Sequence, residues 1–243
     1  DAHGQSLYGV DTGFTEDGPD LGSGTVGFVD GPHVAVLSGE TTVSTRLGEV
    51  WHFFDQQIEY PVTLLPADDV DPSVLEDVDV LVLPDGRYGD WLTEAREEAI
   101  TDWTRRGGRL LAMGTAVSAL SDHEAYSLSS EGEGSSEDPS ESRLSRFAQR
   151  EREALSGSTP GSIHRAWIDT THPLGFGLSD PYFTLKRNDD AYAYLEEGWT
   201  VAALEDEAPV SGFMGHEAQR AVDETLLYGA QPLGEGHVVY FVD

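Results

Sequence analysis

The chain has 243 residues, 38% of them hydrophobic, enough for one full core, and its 45 acidic against 14 basic residues give a formal net charge of −31. That balance repels nucleic acid and anionic membranes and excludes both as partners. Cysteine is absent, which removes disulfides, thiolate metal sites and thiol nucleophiles together.

The carboxylates run through the whole chain rather than forming a tail, a pattern expected of a surface adapted to high salt, where ions screen the repulsion. No run is apolar enough to span a bilayer, and no signal peptide opens the chain. Beginning at "DAHGQSLYG" without a methionine, it reads as a piece of a longer polypeptide.

Residues 1–31 are Gly- and Asp-rich and read as a lead-in segment, with a short strand expected near Ser6 to Val10. Residues 32–243 read as one α/β domain. "HVAVL" (His33 to Leu37) predicts a strand. Leu47, Val50, Trp51, Phe54 and Ile58 then mark the buried face of a helix, with Trp51 expected in the core. "VTLL" (Val62 to Leu65) and "VDVLVLPDG" (Val78 to Gly86) predict two more strands. A helix from about Thr93 to Arg106 has acids at its start, arginines at its end and Gly107-Gly108 to stop it. "GGRLLAMGTAVSAL" (Gly107 to Leu120) then reads as strand, sharp turn, helix. Strands alternating with amphipathic helices predict a doubly wound, mostly parallel sheet, with ligands beyond the strands' carboxyl ends.

A polar, low-complexity loop with acidic residues is expected at about 127–142, followed by a charged helix in "RLSRFAQREREAL". The remainder alternates as strands: "RAWID", "YFTLK", "AYAYL", "TVAAL", "VSGFM" and "HVVYFVD", with a helix over His216 to Thr225. After the last strand a closing helix would be expected and is not in the sequence.

The bend at Gly114-Thr115 carries the main chemical question. It is similar to the nucleophile position of class I glutamine amidotransferase-like domains, where a cysteine follows such a strand and helix-start amides hold an oxyanion. Aligned by pattern, Gly114 stands at that cysteine's place. Thr115 and Ser118 are neighbouring hydroxyls, but either needs an adjacent base to attack. His216 and Glu217 faintly resemble the family's remaining triad members, although the family separates them by one residue and here they adjoin. The favoured reading of the bend is a degenerate nucleophile position in a packed turn, with Glu217 suiting a helix start.

Glu40 at the first strand's end, and Asp85, Arg87, Tyr88 and Trp91 in "PDGRYGDW", form the candidate ligand-binding set, with chemistry suited to a peptide or a glycan. The competing structural role is a turn at Asp85-Gly86. No metal site is expected: the eight histidines form neither H-x-x-x-H nor H-x-x-E.

Six phrases occur together in order: "GEVWHFFDQQIEYPVTLL", "LPDGRY", "EREALSGSTPGSIHRAWIDTTHPLGFGL", "YFTLKR", "VSGFMGHEAQ" and "LLYGAQPLGEGHVVYFVD". They resemble the amidotransferase-like domain that follows the peptidase domain in bacterial zinc carboxypeptidase-like proteins. That resemblance implies a secreted or periplasmic parent whose zinc sits in an upstream peptidase domain, the natural partner of this one. No residue here matches the zinc motif, so this piece would carry no cofactor and act as a non-catalytic accessory domain. A hydrolase using Thr115 or Ser118 with His216, and a carbohydrate-binding module at the PDGRYGDW loop, are the alternatives.

Overall fold

Short apolar runs such as "VAVL" and "VLVL" fold as strands because β-branched side chains pack well on a pleated surface buried on both faces. The computed structural model describes residues 9–27, 30–121, 123–130, 150–188, 190–205 and 208–243, and, within the first helical turns after 149, not the side chains of 150, 151 and 153. The chain divides into two units, Asp1–Pro32 and His33–Asp243.

The first unit has no helix or strand among its described residues. Its turns are local, with Leu21 N donating to Gly13 O at 2.8 Å and Thr15 N to Asp20 Oδ1 at 2.9 Å. Of the strand expected near Ser6 to Val10, only Gly9 and Val10 are described, and they are irregular.

The second unit is built on one ten-stranded sheet. In chain order its strands are β1 (Val34–Ser38), β2 (Val62–Pro66), β3 (Val80–Leu83), β4 (Arg109–Met113), β5 (Gly161–Ile168), β6 (Tyr182–Lys186), β7 (Trp199–Leu204), β8 (Ser211–Phe213), β9 (Leu226–Leu233) and β10 (Gly236–Phe241). They lie in the order β2-β1-β3-β4-β10-β9-β7-β5-β6, with β8 also on β5. The run from β2 to β10 is parallel; every pairing from β10 onward is antiparallel. The sheet is therefore mixed rather than mostly parallel. The cause is local: Gly234 at φ +64° lets β9 turn straight back into β10, and the strands beyond continue antiparallel in the order β9-β7-β5-β6.

The helices are α1 (Ser44–His52), α2 (Pro72–Leu75), α3 (Glu94–Arg105), α4 (Thr115–Ser121), α5 (Arg150–Ser156) and α6 (His216–Ala221). The largest core cluster joins Leu37, Leu81, Leu110 and Tyr240 of the parallel strands to Ile100 and Trp103 of α3 and Val117 and Leu120 of α4. Each such fully buried aliphatic side chain contributes roughly 1.5–3 kcal/mol. Leu47, Val50 and Phe54 pack with Val36, Val82, Leu111 and Met113 in a second layer. A third cluster sets Ala218 and Val222 against Ala166, Ile168 and Leu204.

Several expectations are corrected. Trp51 and Ile58 are exposed rather than core: Ile58 follows a π-turn at Phe53–Gln57 that breaks the helical phase, and Trp51, before that turn, lies outside the packed set of Leu47, Val50 and Phe54. "AYAYL" makes only an isolated bridge, Tyr192 with Ser130, and its buried side chains fill the core instead. Helix α6 stops at Ala221 rather than Thr225, since the chain must turn into β9, a strand not foreseen. Of the polar loop expected at 127–142, residues 127–130 are anchored: Ser127 N donates to Gln231 Oε1 and Ala193 N to Ser129 O, each at 2.9 Å. Residues 131–142 of that loop and 143–149 of the expected helix lie outside the described residues.

Candidate functional site

The carboxyl ends of β3 and β4 bring "PDG" and "GT" into contact. Gly114 bends the chain at φ +54°, donates its N–H to Phe241 O at 2.8 Å, and hands the chain directly to α4. That is the backbone a strand–helix elbow requires, and an L side chain at this φ would be strained. A Cβ on Gly114 would stand 3.1 Å from Asp85 Cγ and Oδ1.

Asp85 is what fills the elbow. Its Oδ1 accepts the Thr115 N–H at 3.2 Å and lies 2.6 Å from Thr115 Oγ1. The same hydroxyl lies 2.6 Å from Gly86 O and accepts the Gly86 N–H at 2.8 Å. The Thr115 hydroxyl is thus engaged as donor and acceptor, with no imidazole on it. Ser118 Oγ donates back to Thr115 O at 3.0 Å, a bond within the helical turn. His216 is exposed at the start of α6, Glu217 is exposed beside it, and neither lines the cavity described below. The structure does not bring the imidazole and the hydroxyls together as a hydrogen-bonded pair.

The loop carrying Asp85 is clamped to the one after β1. Arg87 N donates to Thr41 O at 2.7 Å, and a Cβ on Gly86 would lie 2.3 Å from that oxygen, so only glycine fits there. Glu40 and Arg87 are exposed. Tyr88 and Trp91, expected as ring faces for a ligand, are buried at 3% and 5% exposure. Trp91 Nε1 donates to Ala67 O at 2.8 Å, Tyr88 meets the indole edge-on, and the Arg96 guanidinium covers it at 5.4 Å. Burial, reinforced by the Asp85 carboxylate, pushes the Tyr88 hydroxyl well above the usual tyrosine range. These rings are core, so the PDGRYGDW loop does not form an exposed carbohydrate platform.

The space beside the elbow lies beyond the strand ends, where a ligand was expected, and Asp85, Gly114 and Thr115 line it, whereas Glu40, Arg87, Tyr88 and Trp91 do not; its apolar lining was not foreseen. A cavity of about 740 Å³ opens between α1 and the ends of β3, β4 and β10, and its lining includes Val50, Phe53, Phe54, Leu111, Met113 and Phe241. Polar groups sit at its margins. Arg46 pairs with Glu49 at 2.8 Å and lies 3.9 Å from Asp85; Arg187 is exposed; Asn188 Oδ1 has no hydrogen-bond partner among the described residues. Asp243, which lines the cavity, accepts from Lys186 Nζ at 2.7 Å; Lys186, 1% exposed, also donates to Asp190 O at 3.0 Å. The available signal was the adjacent Phe53-Phe54, which helical periodicity assigns to packing. Among the described residues no group of three or more His, Asp or Glu could hold a metal, and no helix is long and apolar enough to cross a membrane.

Neither a sequence family nor a curated protein matches the chain. Solved structures do. A GMP synthase subunit from Thermoplasma acidophilum is similar over 88% of this chain and 84% of its own, with 10% identity and a TM-score of 0.53. A ThuA-like protein from Bacteroides uniformis is similar over 90% and 85%, with 10% identity and a TM-score of 0.50. The fold is glutamine amidotransferase-like. Within this amidotransferase-like fold Gly114 bends the chain into α4, and the helix-start amide of Thr115 is occupied by the protein's own carboxylate.

Proposed function

We propose that this chain is a non-catalytic, ligand-binding domain of amidotransferase-like fold. The observation that carries the reading is Asp85, which takes the Thr115 N–H and hydroxyl at the point where a reacting oxyanion would need free donors. The ligand site is the cavity beside it. Its apolar lining favours a peptide over a glycan: an apolar side chain would fill the space between Phe53, Met113 and Phe241, with Arg187 at the rim for a carboxylate. The resemblance of the six ordered phrases to zinc carboxypeptidase-like proteins is what supports a role as accessory to an upstream zinc peptidase, secreted or periplasmic. The dispersed acidity supports a high-salt habitat.

The test uses the purified chain with glutamine, a Gly-Gly-Phe peptide and a cello-oligosaccharide as probes. Saturable calorimetric binding of the peptide is expected, weakened at least tenfold by Phe53→Asp, with no turnover of any probe. Hydrolysis that Thr115→Ala abolishes would replace this reading with a hydroxyl-nucleophile hydrolase. Binding of the oligosaccharide alone would replace it with a carbohydrate-binding module.

A further inference from the structure

Strand β5 alternates strictly: Ser162, His164, Ala166 and Ile168 are buried, while Ile163, Arg165 and Trp167 are exposed. Its partners extend the exposed side. Leu185 lies opposite Ile163, Phe183 opposite Arg165, and Phe213 of β8 opposite Gly161. Directly opposed side chains in such a pair stand within contact reach, so these residues form one continuous face. Phe183, Leu185 and Phe213 are 51%, 54% and 48% exposed. With Ile163 and Trp167 they leave about 450 Å² of apolar surface in water, on the scale of the largest patches monomeric proteins carry.

The charge pattern gives this face its meaning. No residue of β5, β6 or β8 is acidic, in a chain where 45 of 243 are. The exposed charged side chain within the face is Arg165, and it makes no ion pair with any described residue. The strand residues of this apolar, open face thus carry no carboxylate.

We infer that this face is where a second copy of the chain docks, sheet face on sheet face, in a reversible dimer assembled by salt. The face is complementary to itself. Arg165 and Trp167 neighbour each other on one strand, and a two-fold axis between them places each guanidinium over the partner's indole. Paired, two such patches remove about 900 Å² of apolar surface, the size of a weak, reversible interface rather than an obligate one. Below about 0.1 M salt two bodies of charge −31 repel before they meet. In molar salt the screening length falls to about 3 Å and the apolar contact decides the outcome. None of the residues of this face lines the cavity.

Sedimentation velocity at about 0.1 M and about 2 M KCl, with roughly 100 μM chain, tests it. The expected result is a 26.4 kDa species at low salt and a species of twice that mass at high salt. The double variant Trp167→Glu/Phe183→Glu should remain at the single-chain mass in both, with a circular dichroism spectrum matching the parent. Phe53→Asp, in the cavity, should dimerise as the parent does. A single-chain mass at both salt concentrations would overturn the inference, and so would a dimer that the double variant leaves intact.

Discussion

The two ends of the sheet are built on different rules. From β2 to β10 the strands are parallel, and their inner members read as nearly unbroken apolar runs, because α1 packs against one layer of side chains and α3 and α4 against the other. From β9 to β6 they are antiparallel, and β5 alternates buried with exposed at every residue. A parallel run converges its strand ends on one rim, so it makes a site out of loops. An antiparallel run needs only one covered face, so it can offer the other as a surface. In this protein the candidate cavity belongs to the first arrangement and the candidate interface to the second.

Joining them is the Lys186–Asp243 pair, which ties the end of β6 to the chain just beyond β10. Cutting that tie has the largest expected effect on the comparison. Lys186→Met leaves a carboxylate buried without its cation and should cost about 3–5 kcal/mol, read from urea unfolding. If instead the midpoint barely moves, the two ends are stabilised separately.

The elbow sharpens the contrast at the parallel end. Gly114→Cys restores a thiol in sequence but forces an L residue to φ +54° against Asp85. A loss of about 1–2 kcal/mol and no glutaminase activity are expected, from unfolding curves and ammonia release. Robust turnover would mean that Asp85 yields readily.

A smaller effect should appear in base. Burial pushes the Tyr126 hydroxyl, with the facing Thr101 hydroxyl only partly offsetting it, up to about 12. A group whose pKa is raised by folding stabilises below its unfolded value, near 10, and loses that contribution as pH climbs from 10 towards 12. Stability should fall on the order of 1 kcal/mol by pH 11 from this residue, and Tyr126→Phe should flatten that part of the curve.

What sequence reading recovered follows the same division. The parallel strands were legible because both faces are buried and nothing interrupts their apolar runs. β9 was not, because Gly229, Gln231 and Pro232 break the pattern of "LLYGAQPL". Gln231 is held in its buried place by the Tyr240 hydroxyl, nine residues on, and by two partners over 100 residues away, accepting from Ser127 N and donating to Ala125 O. The elbow's geometry was readable from "AMGT", and the absence of a thiol from composition. That Asp85 would fill the elbow was not, since the contact spans 30 residues and arises only when β3 and β4 lie side by side. Tyr88 and Trp91 fall in a loop, where no periodicity distinguishes a ring turned inward from one offered to a ligand.

Lys186 has a practical side as well. It is the chain's single lysine, sealed in the interior at 1% exposure. Acylating reagents, aldehyde fixatives and amine-coupled sensor surfaces therefore find no lysine to react with on the folded protein. Modification of that one ε-amino group becomes a chemical clock for opening: the rate at which it acquires a label counts how often the molecule comes apart.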